Sequence, residues 1–199
     1  MSDVAAQIIL APVIKEFLKA YPMISLDIQV DNGQGDIAAG RFDAGIRVGR
    51  RVAKDMQIVR ISQPSRLIAI ASPEYLDRHN APQTPNDLQD HNCIRLRSNE
   101  AIMTWEFAKG RRKVEISVNG SLIVNSAILT VRAALDGIGI AYTIESYVTS
   151  EIARGRLIPL LTDWSPAHQS YYLYYSGQRQ LPLPLRTFID FLKQRQRHP

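Results

Sequence analysis

An α/β fold with a partly parallel sheet is what this sequence predicts, on three observations. Strand-like alternation and helix-like spacing take turns along the chain, with short connections between them. Helix starts are marked by serine or threonine followed by proline and an acid, at Ser72-Pro73-Glu74 and Thr84-Pro85-Asn86-Asp87. The third is the stretch 40–49, where Phe42, Ala44, Ile46 and Val48 alternate with Asp43, Gly45, Arg47 and Gly49. That period belongs to a strand with two unlike faces, and a glycine at each end permits a sharp turn. Arg47 would stand near the strand's exit, where open α/β folds bind ligands. Its alternative use is an ion pair with Asp43 or Asp36.

Residues 4–20 place Ala5, Ile8, Ile9, Val13, Phe17 and Leu18 near i, i+3, i+4 spacing, the pattern of an amphipathic helix. Pro12 removes one helical hydrogen bond and should bend or split it. Ser2 or Asp3 can cap its start, and Tyr21-Pro22 ends it. Residues 24–30 alternate as a strand. The polar turn Asp31-Asn32-Gly33-Gln34-Gly35-Asp36 then leads to a short helix at 36–39. Gly33 and Gly35 could bare backbone N–H groups for an anion there. The turn lacks a phosphate-loop lysine and the third glycine of a dinucleotide fingerprint, so a plain turn explains it equally.

Strands follow at 57–62 and 66–71, then the capped helix start at Ser72. Thr84 with Asp87 has the spacing of a capping box. Strands at 93–97, 104–108, 114–118 and 121–124 are turned by Gly110 and Asn119-Gly120. Asn125 or Ser126 caps a helix over 127–135, which Asp136-Gly137 ends before a strand at 138–142. A helix at 146–154 closed by Gly155, strands at 156–161 and 170–175, and a last helix at 185–193 complete the pattern.

Composition narrows the function. With 45% apolar and 22% charged residues the chain reads as soluble and globular, and its 199 residues suffice for one large or two small domains. No apolar run has the length of a membrane span and no signal peptide is visible, so cytoplasm is the expected compartment. Cys93 stands alone, which excludes an internal disulfide and fits a reducing environment; its apolar flanks make it a buried small side chain. The net charge of +5 is spread over Arg50-Arg51, Arg111-Arg112-Lys113 and a tail with Lys193, Arg195 and Arg197. These clusters are separate and match no nucleic-acid-binding motif, so they read as solvated surface.

An enzyme would need a nucleophile with its base, paired carboxylates or metal ligands. His79, His91, His168 and His198 are dispersed without ligand spacing, Gly-x-Ser-x-Gly is absent, and Gly137-Ile138-Gly139 opens no helix. The expectation is a non-enzyme with no catalytic residues, no metal and no cofactor.

The order of motifs carries further. Leu10-Ala11-Pro12, Phe17-Leu18 and Tyr21-Pro22 precede Gly40, Phe42-Asp43-Ala44-Gly45-Ile46-Arg47 and Ala71-Ser72-Pro73-Glu74-Tyr75-Leu76. After these come Thr84-Pro85, Asp87-Leu88, His91-Asn92-Cys93-Ile94, Trp105 and Ala133-Ala134-Leu135-Asp136-Gly137-Ile138-Gly139-Ile140-Ala141. Gly155-Arg156-Leu157, Trp164 and Phe188-Ile189-Asp190-Phe191-Leu192 close the series. Over essentially the whole chain this resembles the effector-binding (regulatory) domain of LysR-type transcriptional regulators.

The resemblance implies a type 2 periplasmic-binding-protein-like fold: two α/β subdomains with a ligand cleft between them. Subdomain I would take residues 1–66 and 146–199 and subdomain II residues 67–145, with crossovers near 66–70 and 144–146. It implies an effector site at Ser2 and Asp3, Asn32 and Gly33, Ser72, Asn125 and Ser126, and Tyr142 and Thr143, with Arg47 as an added cation. Helix starts, glycines and hydroxyls suit a small carboxylate. It also implies a homodimer, with Ile9, Val13 and Phe17 of one chain against Ile128 and Val131 of the other, and a tetramer as a further possibility for the intact protein. Two departures stand out. The family's winged helix-turn-helix and first strand have no counterpart here, so DNA would be reached only through that missing N-terminal domain. Tyr142-Thr143 also replaces the Leu-Pro of many relatives. The rival readings are a transport solute-binding protein of the same fold class, which would need export, and an oligomerisation module with a vestigial cleft.

Overall fold

The computed structural model describes residues 1–31, 42–49, 55–98, 101–165, 170–177 and 180–197. The chain divides into two compact units, Met1–Pro64 with Gln169–Pro199, and Ser65–His168.

The first unit begins with a helical segment broken where proline requires it: α1 (Asp3–Ala5) runs into a π-helical turn (Ala6–Leu10), and α2 (Ile14–Ala20) resumes after Pro12. Its three-stranded antiparallel sheet has β11 (Tyr171–Ser176) at the centre, between β1 (Ala44–Val48) and β2 (Met56–Arg60). Ile46 faces Leu173 in the register and both are buried, whereas Phe42 and Val48 are exposed. The two-faced alternation is present, but only its middle is covered. Gly49 closes β1 at φ 77°, and its carbonyl accepts the Tyr174 hydroxyl.

Phe17 is fully buried, with its ring centroid 5.1 Å from Tyr21, 4.9 Å from Phe188 and 5.3 Å from Phe191. The last helix, α6 (Leu183–Arg197), supplies Phe188 and Phe191 and buries Ile189 and Leu192. Residues 24–30, expected as a strand, are in none. Among the described residues their ladder partner is Met1 alone, whose amine donates to the Gln29 carbonyl (3.0 Å) while its own carbonyl accepts from Asp31 N–H (2.7 Å). One residue of pairing does not make a strand.

In the middle unit β3 (Leu67–Ala71) is the apolar centre of a sheet, with β9 (Ala141–Ile144) and β10 (Ile158–Leu160) antiparallel on its two sides. β4 (Arg95–Ser98) pairs in parallel with β8 (Ile123–Val124) and antiparallel with β5 (Ala101–Ile102). β6 (Trp105–Lys109) and β7 (Arg112–Ile116) form a hairpin. Among the described residues the parallel component is small: β4 with β8 and the bridge Cys93–Ile140. Helices α3 (Pro73–Leu76), α4 (Ala127–Leu135) and α5 (Glu145–Ala153) start or stop where the sequence signals them, with Gly137 at φ 71° and Gly155 at φ 69°.

Residues 146–165 were expected with the ends of the chain. They pack in the middle unit instead, because β10 is in register with β3 and Val148 and Leu157 enter its apolar cluster. Arg66 clamps the start of α5 in the same unit, its guanidinium giving two bonds to the Glu145 carboxylate at 2.8 and 2.7 Å.

Candidate functional site

In the first unit Ser2 caps α1, its hydroxyl accepting the Ala5 N–H at 3.2 Å, and Asp3 accepts the N–H of Val4 at 2.7 Å. A capping hydroxyl uses a lone pair and keeps a proton that it can donate. Arg47 lies half-buried in β1 opposite Tyr172, close enough to the Met1 amine to depress its pKa, after burial and against the opposing pull of Asp31. The expected Arg47 partner Asp36 lies outside the described residues, as do Asn32 and Gly33.

In the middle unit Ser126 caps α4 through a long 3.5 Å contact from Leu129 N–H, and its carbonyl accepts the Thr130 hydroxyl at 3.0 Å. Asn125 is exposed beside it. Ser72 is almost fully buried and caps α3 through Tyr75 N–H at 3.3 Å. It lines a surface groove of about 400 Å³ with Glu74, Arg132, Asp136 and Arg156. Those cations are matched: Arg132 by Asp136 at 2.9 Å and Arg156 by Glu151. The groove therefore offers no surplus charge to an anion.

Tyr142 and Thr143 turn out to be interior. The Tyr142 ring stacks on Trp105 (5.1 Å, 15°) and tilts against Phe107, while its hydroxyl donates to the Glu106 carbonyl. Burial raises its pKa well above the tyrosine range. Thr143 is 4% exposed, opposite Ile68. Tyr142 and Thr143 point to opposite faces of β9, and both faces of that strand are covered.

Of the residues expected at a dimer contact, Ile9, Val13, Phe17 and Val131 are buried in the isolated chain. Ile128 is 36% exposed and its neighbour Leu129 54%, so α4 does keep an apolar surface.

A cluster that motif reading missed joins α3 to the loop at His91. The Tyr75 hydroxyl accepts Asn92 N–H at 3.1 Å and meets His91 Nδ1 at 3.1 Å; the His79 ring stacks on Tyr75 at 4.3 Å. Tyr75 and His79 stand at i and i+4, a spacing that could have flagged the pair. His91 is held below the ordinary histidine value, first by burial and then by His79, against the opposing pull of Asp87 and Asp90. A depressed histidine stays neutral in the folded state, so its contribution is complete above the unfolded value of 6.5 and fades as pH falls through the folded one. Urea midpoints measured between about pH 7.5 and 5 should decline over that window, and His91→Gln should flatten the decline.

Cys93 is fully buried, and burial pushes its thiol up to about 12, so it is not poised as a nucleophile. Among the described residues no cluster of histidine, cysteine and carboxylates could hold a metal ion, and no helix is long and apolar enough to cross a membrane.

The family model described as the LysR substrate binding domain matches residues 1–197. This chain belongs to the LysR substrate-binding domain family. A Pseudomonas aeruginosa protein, provisionally named a transcriptional regulator, is 39% identical to this chain over 187 residues, covering 93% of this chain and 61% of that protein. The HTH-type transcriptional regulator PgrR of Escherichia coli is 35% identical over 191 residues, covering 95% and 64%. The chain thus spans a little over three fifths of these relatives. The regulatory domain of CrgA, a LysR-type regulator from Neisseria meningitidis, superimposes with a TM-score of 0.86 at 26% identity, covering 98% of this chain and 95% of that one.

The LysR domain accordingly has the mixed α/β, type 2 periplasmic-binding-protein-like fold. Its homologues are named as transcriptional regulators, and its family is one of regulatory domains, not of enzymes.

Proposed function

We propose that the LysR domain senses a small-molecule effector for a longer, cytoplasmic transcriptional regulator. The match of the family model over residues 1–197 carries this reading. The two units would be the regulatory subdomains, and the effector a small carboxylate or similar anion. Its donors would include the capping hydroxyls Ser2 in the first unit and Ser126 in the middle unit, with Asn125 beside the latter. A bound effector acts by its different affinity for two conformations, and so biases the arrangement of DNA-binding domains in the intact oligomer. Sequence-specific DNA contact would belong to a helix-turn-helix segment of the kind the relatives' names announce. The exposed Ile128 and Leu129 of α4 support side-by-side pairing of two copies through that helix, with a tetramer open to the intact protein.

Thermal melting against small organic acids, aromatic carboxylates and sugars tests the reading. An effector at a hundredfold excess over its Kd should add about 2.7 kcal/mol of stability. Ser126→Ala should abolish that gain; a gain that survives it would keep the sensor and move the site. A panel without any response would favour an oligomerisation module.

A further inference from the structure

The hairpin tip at 109–113 reads Lys-Gly-Arg-Arg-Lys, four cations and no acid, and the chain's whole formal excess is +5. Regulation by an effector leaves this concentration of charge without a role. The register sets Lys109 opposite Arg112, so Gly110-Arg111 is a two-residue loop. Gly110 has φ 60° and Arg111 does not share its sign, which makes a tight turn with glycine in first place. Such a turn fixes the course of the backbone at the tip.

Like charges placed directly opposite across two strands destabilise a hairpin. Here both sit over one ring: Lys109 Nζ is 5.8 Å and the Arg112 guanidinium carbon 5.4 Å from the centre of Trp164. Trp164 is buried at 8% exposure and follows Leu161, whose φ of 52° is left-handed. Asp163 answers Lys109 alone, at 3.2 Å. Glu106 and Glu115 lie opposite each other farther down the hairpin. Arg111 and Lys113 are exposed and have no ion pair among the described residues. Trp164 and Asp163 offset the repulsion between Lys109 and Arg112, while Arg111 and Lys113 present cations outward, as an anion-binding surface does.

We propose that this hairpin tip docks on the phosphate backbone of duplex DNA without reading its sequence. The inference rests on the reading of the chain as part of a DNA-bound regulator. A small phosphate ion needs donors converging in a concavity, and a two-residue turn is convex. An acidic protein face ordinarily adds an apolar anchor, but none of the exposed large hydrophobic residues lies between Trp105 and Ile116. A polymer of regularly spaced charges fits cations clustered on a convex tip.

Fluorescence anisotropy of the chain with a labelled duplex of about 20 bp, from roughly 25 to 200 mM salt, tests it. Each phosphate contact contributes about −0.9 to the slope of log K against log salt, so Arg111, Arg112 and Lys113, the three tip cations that Asp163 does not pair, give about −2.7. Arg111→Ser with Lys113→Ser, two exposed positions, should bring the slope to about −0.9, and the charge-keeping pair Arg111→Lys with Lys113→Arg should leave it in place. An unchanged slope in the serine pair would overturn the proposal by moving the contact elsewhere. Tighter binding of poly-glutamate than of DNA, lost in the serine pair, would overturn it in favour of an acidic protein. Absence of DNA binding at the lowest salt would overturn it too. The effector-induced rise in melting temperature should be the same in the serine pair, which separates failure here from failure of the sensor reading.

Discussion

Alanine at Gly120 should lower the unfolding free energy of the middle unit by about 3 kcal/mol or more, read from urea or thermal unfolding. A Cβ built there lies 1.9 Å from the Cys93 carbonyl oxygen and 2.8 Å from its carbon and nitrogen. The obstacle is backbone and cannot rotate aside. It is also bonded in place, since Cys93 N–H donates to the Asn119 carbonyl at 2.9 Å. The neighbouring pass is equally tight: a Cβ at Gly139 would lie 2.1 Å from the Asn92 carbonyl oxygen. Gly110→Ala is the control. At φ 60° with nothing within 4 Å, it should cost only the left-handed backbone term of about 1–2 kcal/mol. Equal losses at the two positions would mean that conformation, not close packing, fixes glycine at 120.

Phe17→Ala should cost about 3–5 kcal/mol in the first unit, the range for removing a fully buried phenyl ring. Three aromatic rings within 5.3 Å of its centroid lose their contact at once, and α6 loses its hold on α2. The fall in melting temperature should not depend on protein concentration, because the partners Tyr21, Phe188 and Phe191 belong to the same chain. A loss that shrinks as concentration rises would instead place Phe17 at a contact between copies. Substitution of aspartate at this residue, the natural way to break a suspected interface, would test folding first.

Much of the fold was legible because its signals are local. Ser72-Pro73-Glu74 and Thr84 with Asp87 announce their helix starts through bonds spanning three residues, and both caps form: Asp87 accepts Thr84 N–H at 2.9 Å and its hydroxyl at 2.8 Å. Pro12 splits the first helix for a reason contained in one residue. Residues 24–30 are not a strand for the opposite reason: alternation describes a face, whereas a strand also needs a neighbour to bond, and among the described residues their ladder partner is Met1 alone.

Side-chain roles followed the same division. Tyr142 and Thr143 stood at a motif's end, and only the packing of Trp105 and Phe107 showed that Tyr142 faces inward. Val131 and Ile128 lie on one short helix, and the cluster around Ile68, Ile94 and Val148 decided which is core. The cations at 109–113 were visible as a charge run, but their shared ring at Trp164 joins residues more than 50 positions apart.

By itself, then, the sequence determined the family, the α/β class, the caps, the glycines at 110, 137 and 155, and the lone buried cysteine. All but the family, which rests on the order of motifs along the whole chain, depend on backbone preference or hydrophobic period acting within a few residues. Tertiary structure alone decided that residues 146–165 join the middle unit, that both faces of β9 are covered, and which cations share a ring. Those depend on which distant segments exclude water together, and no local spacing encodes that choice.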